Sequence, residues 1–249
     1  MSALLRRSIR HRLCSAVLGT VLATCAASTL AAAPRFEDSM AQRMRACTAC
    51  HGEQGRAGPD GYYPRIAGKP AGYLYHQLQH FRDGHRSYRL MTQLVEPLSD
   101  AYLREIADYF ATLDLPYPAP VRVELTPQER QRGEQLALRG DPARQLPACV
   151  QCHGAALTGV APAVPGLLGL PRDYLNAQLG AWRNGLRRAH APDCMATITD
   201  RLSMSDVSAV SGWLASQPLP ASSKPARALP QTMPLKCGST WDAPRGTQR

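Results

Sequence analysis

Two pentapeptides carry the chemistry. Cys47-Thr48-Ala49-Cys50-His51 and Cys149-Val150-Gln151-Cys152-His153 both read C-x-x-C-H. Two thiols at this spacing can form thioethers to the vinyl groups of one porphyrin, and the next residue, an imidazole, can then ligate the iron from the side the sulfurs have fixed. The rival readings of a single C-x-x-C are a redox dithiol and half a zinc site. The adjoining histidine disfavours the first. The second copy, far from zinc-finger distance, disfavours the other. Two covalently bound haem c groups are therefore expected, held by Cys47, Cys50 and His51 and by Cys149, Cys152 and His153.

An iron bound by one histidine either accepts a second protein ligand or keeps an open position, and that choice separates electron transfer from catalysis. Met91 is the sole methionine between the two motifs. After the second motif, Met195 and Met204 compete. Met195 lies 104 residues beyond Met91, an offset shared by Leu98 with Leu202 and by Tyr109 with Trp213, so Met195 is the counterpart. Met204 falls in the first turn of the following helix. Met91 and Met195 are thus the expected sixth ligands, and a neutral thioether opposite histidine favours Fe(II) and raises the potential. His76, His80, His85 and His190 are rivals. His76 and His80 stand a helical turn apart and resemble a metal pair, but Ala177 and Ala181 occupy their places in the second half. They read as surface or packing histidines. Arg86 and Arg187 share an offset of 101 and suit either haem propionates or an acidic docking partner.

These residues sit in a duplicated frame. In the first half a helix runs through MAQRMRACTAC to the motif, a Gly/Pro-rich loop follows, and a helix from about Ala71 to Asp83 carries Tyr73, Leu74, Gln77, Leu78 and Phe81. A loop holds Met91, and Ser99 caps a last helix. The second half repeats this plan, with a capping box at Thr126 to Glu129, then Tyr174, Leu175, Gln178, Leu179 and Trp182 at an offset of 101, a Met195 loop, and a helix from Ser203. The fold class is all-α: two tandem helical units joined by a Pro-rich linker. The boundaries expected are a leader at 1–33, units at 34–115 and 126–217, a stiff linker at 116–125 and an extended tail at 218–249.

The leader has four arginines, then an uncharged stretch ending in small residues, the form of a secretory signal. Export to the periplasm is expected. An uncleaved leader, or lipid on Cys25, is the weaker alternative and implies loose membrane association. The formal charge of +10 falls to +6 without the leader, and four propionates bring it to about +2. Nucleic acid is not an expected partner.

The sequence resembles the di-haem class I cytochromes c of the cytochrome c4 group over roughly residues 40–216. The resemblance rests on PACVQCHG at Pro147 to Gly154, on Pro64 to Gly68 and Pro165 to Gly169, on the paired Y-L-x-x-Q-L helices, and on the Met segments that lead to LS-started helices. It implies two cytochrome c folds packed face to face, with haems near the interface. It also implies electron carriage between redox proteins such as a respiratory complex, a terminal oxidase or a dehydrogenase. Lys69 and Leu170 depart from the group, standing where a Gln is usual. A periplasmic carrier of single electrons, not an enzyme, is the first functional expectation. The haem-bearing acceptor subunit of a dehydrogenase complex is the second, and a di-haem peroxidase or thiosulfate dehydrogenase the third.

Cys194 and Cys237 remain after the leader and the haem cysteines are set aside. In an oxidising compartment an even remainder suggests a disulfide. It closes a loop of about forty residues and contributes about 3–4 kcal/mol in the chain-entropy model. The alternative gives Cys194 a thiolate that displaces Met195 from iron. Intact mass distinguishes the two: reduction should add two protons, whereas alkylation of both thiols before reduction contradicts the bridge.

Overall fold

Burial of one face of each helix against a neighbour builds two separate cores, one for each copy of the repeat. The structure is a computed structural model that describes residues 37–58, 61–117, 122–222 and 224–240. The leader, residues 118–121 of the linker and the last nine residues of the tail lie outside that set. Among the described residues the architecture is all-α apart from one short β-ribbon.

In the first half the helix leading to the motif is broken. α1 (Met40–Arg43) and α2 (Arg45–His51) meet at Met44. The side chain at the break is only 2% exposed and anchors the core. α3 (Ala71–Arg82) sets Leu74 and Phe81 against Leu103, Ile106 and Phe110 of α5 (Asp100–Thr112). Ser99 caps α5 by accepting from the Tyr102 amide at 3.2 Å. The segment expected to be a loop around Met91 is a short helix, α4 (Arg89–Val95). Its entrance is Tyr88, which makes no side-chain cap, so no sequence cap signals it.

In the second half Thr126 and Glu129 form the expected capping box at the start of α6 (Pro127–Leu138). α7 (Val150–His153) carries the second motif, α8 (Arg172–Arg183) corresponds to α3, and α9 (Cys194–Arg201) holds Met195 in a helix where a loop was expected. Asp193 caps α9 through the Ala196 amide at 3.0 Å. α10 (Met204–Ser216) crosses α6 closely at Gly133, where a Cβ would meet the Ala209 carbonyl oxygen at 2.4 Å. β1 (Gly159–Val160) and β2 (Val164–Pro165) pair antiparallel in the loop after the motif.

A charged network ties α6 to the start of α10. Asp206, 4% exposed, accepts from Arg132 Nε and Arg144 Nη1, both at 2.7 Å, and caps Ser203. Burial alone raises its pKa, but Arg144, Arg132 and the Ser203 contacts outweigh this and hold the carboxyl well below its usual range.

The two halves meet through an exchanged polar contact. Arg86 donates to Gln178 Oε1 at 2.7 Å and to Gln77 Oε1 at 3.2 Å. Arg187 donates to Gln77 Oε1 at 2.8 Å and to Gln178 Oε1 at 2.7 Å. Each guanidinium also reaches the tyrosine of the other half, Tyr174 at 3.2 Å and Tyr73 at 3.4 Å. Backbone bonds from Ser87 to Leu186 and from Arg188 to His85 complete an antiparallel bridge between Arg86 and Arg187. Every member shares the offset of 101, so duplication has made a self-complementary contact of the kind found in a two-fold dimer.

The linker begins pinned rather than free: Arg65 donates to the Leu115 and Pro116 carbonyls and lies over the Tyr117 ring at 4.0 Å. The tail also docks. Ala226 bridges to Val160, the Gly238 amide donates to the Pro192 carbonyl, and Cys237 is joined to Cys194 with Sγ to Sγ at 1.97 Å.

Two outcomes follow for stability. Gln77→Leu or Gln178→Leu removes an acceptor shared by two guanidiniums, which should cost about 1–3 kcal/mol in denaturant unfolding. The double variant should be non-additive, because both residues serve the same donors; single costs below about 0.3 kcal/mol contradict the clamp. Asp206→Asn should cost about 3 kcal/mol at neutral pH. A depressed folded-state pKa stabilises above the unfolded value and is lost as pH falls, so the gap from wild type should close in acid below about pH 4. A gap that stays constant with pH contradicts the assignment.

Candidate haem centres

Each motif is placed by a helix that stops at its histidine. Gly52 and Gly154 follow with φ of +75° and +84°. At Gly52 a Cβ would sit 2.4 Å from the Ala57 carbonyl oxygen, so the turn there requires glycine. The turn brings the next loop back over the imidazole. His51 Nδ1 pairs with the Pro64 carbonyl at 2.8 Å, and His153 Nδ1 pairs with the Pro165 carbonyl at 2.7 Å. A carbonyl can only accept, so Nδ1 carries the proton and Nε2 is left with the lone pair a metal needs. Both rings are 8% exposed. Burial lowers both pKa values, against the opposing effect of the carbonyl bonds.

The thiols do not look like a redox pair. Reactive C-x-x-C dithiols have depressed pKa values. Here burial, with a smaller contribution from Cys50, pushes Cys47 up to about 11, and burial pushes Cys149 up to about 12.

The second set of expected residues converges on one space. Cys149, Cys152, His153 and Met195 all line a cavity of about 210 Å³. Leu136, Leu146, Leu175, Val210 and Leu214 make an apolar wall. Lys69, Tyr73, Gln77, Tyr174, Gln178 and Arg187 form a polar end contributed by both halves. In the first set, Cys47 and Met91 both border the first core, and the His51 ring meets Tyr63 edge-on at 6.1 Å.

These surroundings fit haem c. A flat apolar ring matches the wall, and two propionates match the polar end. Arg187 is 4% exposed, and among the described residues neither it nor Arg86 has a carboxylate partner. Burial and then the nearby Arg86 press the Arg187 pKa down. Burial raises the Tyr73 pKa, but Arg187, Arg86 and Lys69 together bring it below its usual value. Such a site favours an added anion. Its burial also removes Arg187 as a dock for an external acidic partner. In the sequence, Gln77 and Gln178 stand out only as repeat markers. Their shared offset was the available signal, but it could not show that they pair with the arginines of the opposite half.

Of the two expected readings of the four remaining histidines, surface or packing, the structure favours packing. His76 and His80 are 1% and 2% exposed rather than on the surface, and both line the second cavity. His85 and His190 are half-buried beside them.

No family model matches the chain. The thiosulfate dehydrogenase electron acceptor of Thiomonas intermedia is 38% identical over 212 residues, covering 85% of this chain and 93% of that protein. Cytochrome c4 of Pseudomonas aeruginosa is 34% identical over 170 residues, covering 68% and 82%. The solved structure of reduced recombinant cytochrome c4 from Pseudomonas stutzeri superposes with a TM-score of 0.60 at 29% identity, over 70% of this chain and 95% of that one. Among the described residues no helix is long and apolar enough to cross a membrane. With two buried imidazoles, four thiols at thioether spacing and relatives that are electron-transfer cytochromes, the chain belongs to the cytochrome c4 family, electron-transfer proteins that carry two covalently bound haem c groups.

Proposed function

We propose that the protein is the electron acceptor of a thiosulfate-oxidising dehydrogenase in the periplasm, and passes single electrons on to a respiratory partner. The observation that carries this reading is the 38% identity to a thiosulfate dehydrogenase electron acceptor across nearly the whole of that relative. Haem, when bound, supplies a one-electron Fe(III)/Fe(II) couple.

The chain supplies the rest. Cys47 and Cys50, and Cys149 and Cys152, hold the two rings. His51 and His153 bind from the proximal side, each steered by a proline carbonyl. Met91 and Met195 would supply the second ligands, which would leave neither site open to peroxide or another substrate. The apolar lining around Met195 would surround a bound ring with few polar groups. The Arg86, Arg187, Gln77 and Gln178 clamp fixes the two units, at 34–115 and 126–217, as one carrier. The bridge between Cys194 and Cys237 holds the segment just before Met195 and keeps the Cys194 sulfur from the iron. The leader at 1–33 directs export.

Two measurements test this. Thiosulfate alone should not reduce the oxidised protein, whereas thiosulfate with catalytic amounts of a thiosulfate dehydrogenase should reduce both haems. Turnover of thiosulfate by the isolated protein, or no effect of the dehydrogenase, contradicts the proposal. Met91→Ala and Met195→Ala should each abolish about half of the weak red sulfur-to-iron charge-transfer absorption and lower one potential. An unchanged spectrum in either variant removes that methionine from the ligand set.

A further inference from the structure

The chain contains seven histidines. His11 lies in the leader, and His51 and His153 belong to the haem motifs. The other four all meet in one cluster at the junction of the two halves. Ring centroids lie 4.8 Å apart for His80 and His190, 5.1 Å for His76 and His190, 5.5 Å for His80 and His85, and 6.2 Å for His85 and His190. One ring nitrogen from each of His80, His85 and His190 lies within 4.8 Å of the other two. His80 Nε2 and His85 Nδ1 are buried and find no hydrogen-bond partner among the described residues. Leaving such nitrogens unmatched is costly.

We propose that His80, His85 and His190 form a binding site for a divalent late transition-metal cation, zinc(II) or copper(II), which links the first half of the molecule to the second. Imidazole is the ligand these ions favour, and three histidines leave a fourth position for water or an anion. Arg187 turns its own donors to Gln77 and Gln178 and lies over the Trp182 ring at 3.9 Å.

A supporting shell holds the ligands. The Arg188 amide donates to the His85 carbonyl at 2.7 Å, which ties the two strands of the junction. The His190 amide donates to Ser239 Oγ at 3.1 Å. The Gly238 amide donates to Pro192, and the Cys194–Cys237 bridge fixes the tail beside it. The tail thus positions the one ligand that comes from the second half. Zinc–nitrogen bonds of about 2.0–2.1 Å place ligand nitrogens about 3.3 Å apart, so the trio must close by about 1.5 Å at its widest. His85 and His190 are half-buried, whereas His80 is 2% exposed.

The test uses the purified, oxidised di-haem protein after treatment with a chelator. Titration with zinc chloride, followed by calorimetry, should show one ion per chain with a dissociation constant below about 100 μM. Copper(II) should give an electron paramagnetic resonance signal with nitrogen hyperfine structure, while the haem absorption stays unchanged. His85→Ala and His190→Ala should each weaken zinc binding by at least about tenfold. His85→Gln and His190→Gln serve if the alanine variants fail to fold, which loss of the haem spectrum would report. Absence of binding at about 1 mM zinc, or equal affinity in a folded double variant, overturns the site. So does zinc binding that displaces the sulfur-to-iron absorption, since the ion is then entering the haem centre instead.

Discussion

Two guanidiniums and two carboxamides, traded between the halves of one chain, hold the molecule's geometry. Arg86 and Arg187 each bond the glutamine of both halves, and Arg187 is almost wholly buried while doing so. Buried cations without carboxylates are costly unless an anion or oriented dipoles surround them. The glutamine oxygens supply the dipoles, and the haem propionates fit as the anions. The same contact therefore joins the halves and defines the polar end of the second cavity. Removal of the anions would leave the guanidiniums facing one another, so cofactor retention and the junction are expected to be coupled.

The copies have diverged around this shared centre. In the second half a tail lies along the loop after the motif, through Ala226 and Val160, and its residues Met233, Leu235 and Cys237 close one side of the cavity. The segment from His190 to Asp193 differs in length from its counterpart and is held by the disulfide and by Ser239. In the first half the corresponding region carries Tyr62, Tyr63 and Tyr88 in edge contact, beside Leu90 and Leu94, which are 54% and 40% exposed. Duplication supplied the junction, and later change made the two faces unlike.

Much of this was legible in the residues. The C-x-x-C-H pairs, the helices with Ser99, Thr126 and Ser203 at their starts, and the matching of Met91 with Met195 depend on local chemistry and on a constant offset. Other features are set by tertiary contact. The break falls at Met44, whose side chain is buried in the core. The helix at Arg89–Val95 begins at Tyr88 without a side-chain cap, so no local signal marks it. The equal offsets of Gln77 and Gln178 reveal duplication but not which copies meet. His76 and His80 lack partners in the repeat, so the sequence offers only surface or packing roles for them. Their partner, His190, lies in a segment that the repeat does not share.

If the clamp fixes both units as one carrier, two haems held within one chain would share electrons without meeting another molecule. Fast injection of less than one electron per molecule, followed optically at both haems, tests it most directly. The account predicts that the electron redistributes between the haems in a first-order phase whose rate does not change with protein concentration. A rate that rises in proportion to concentration would mean that exchange occurs only by collision, and would contradict the internal relay.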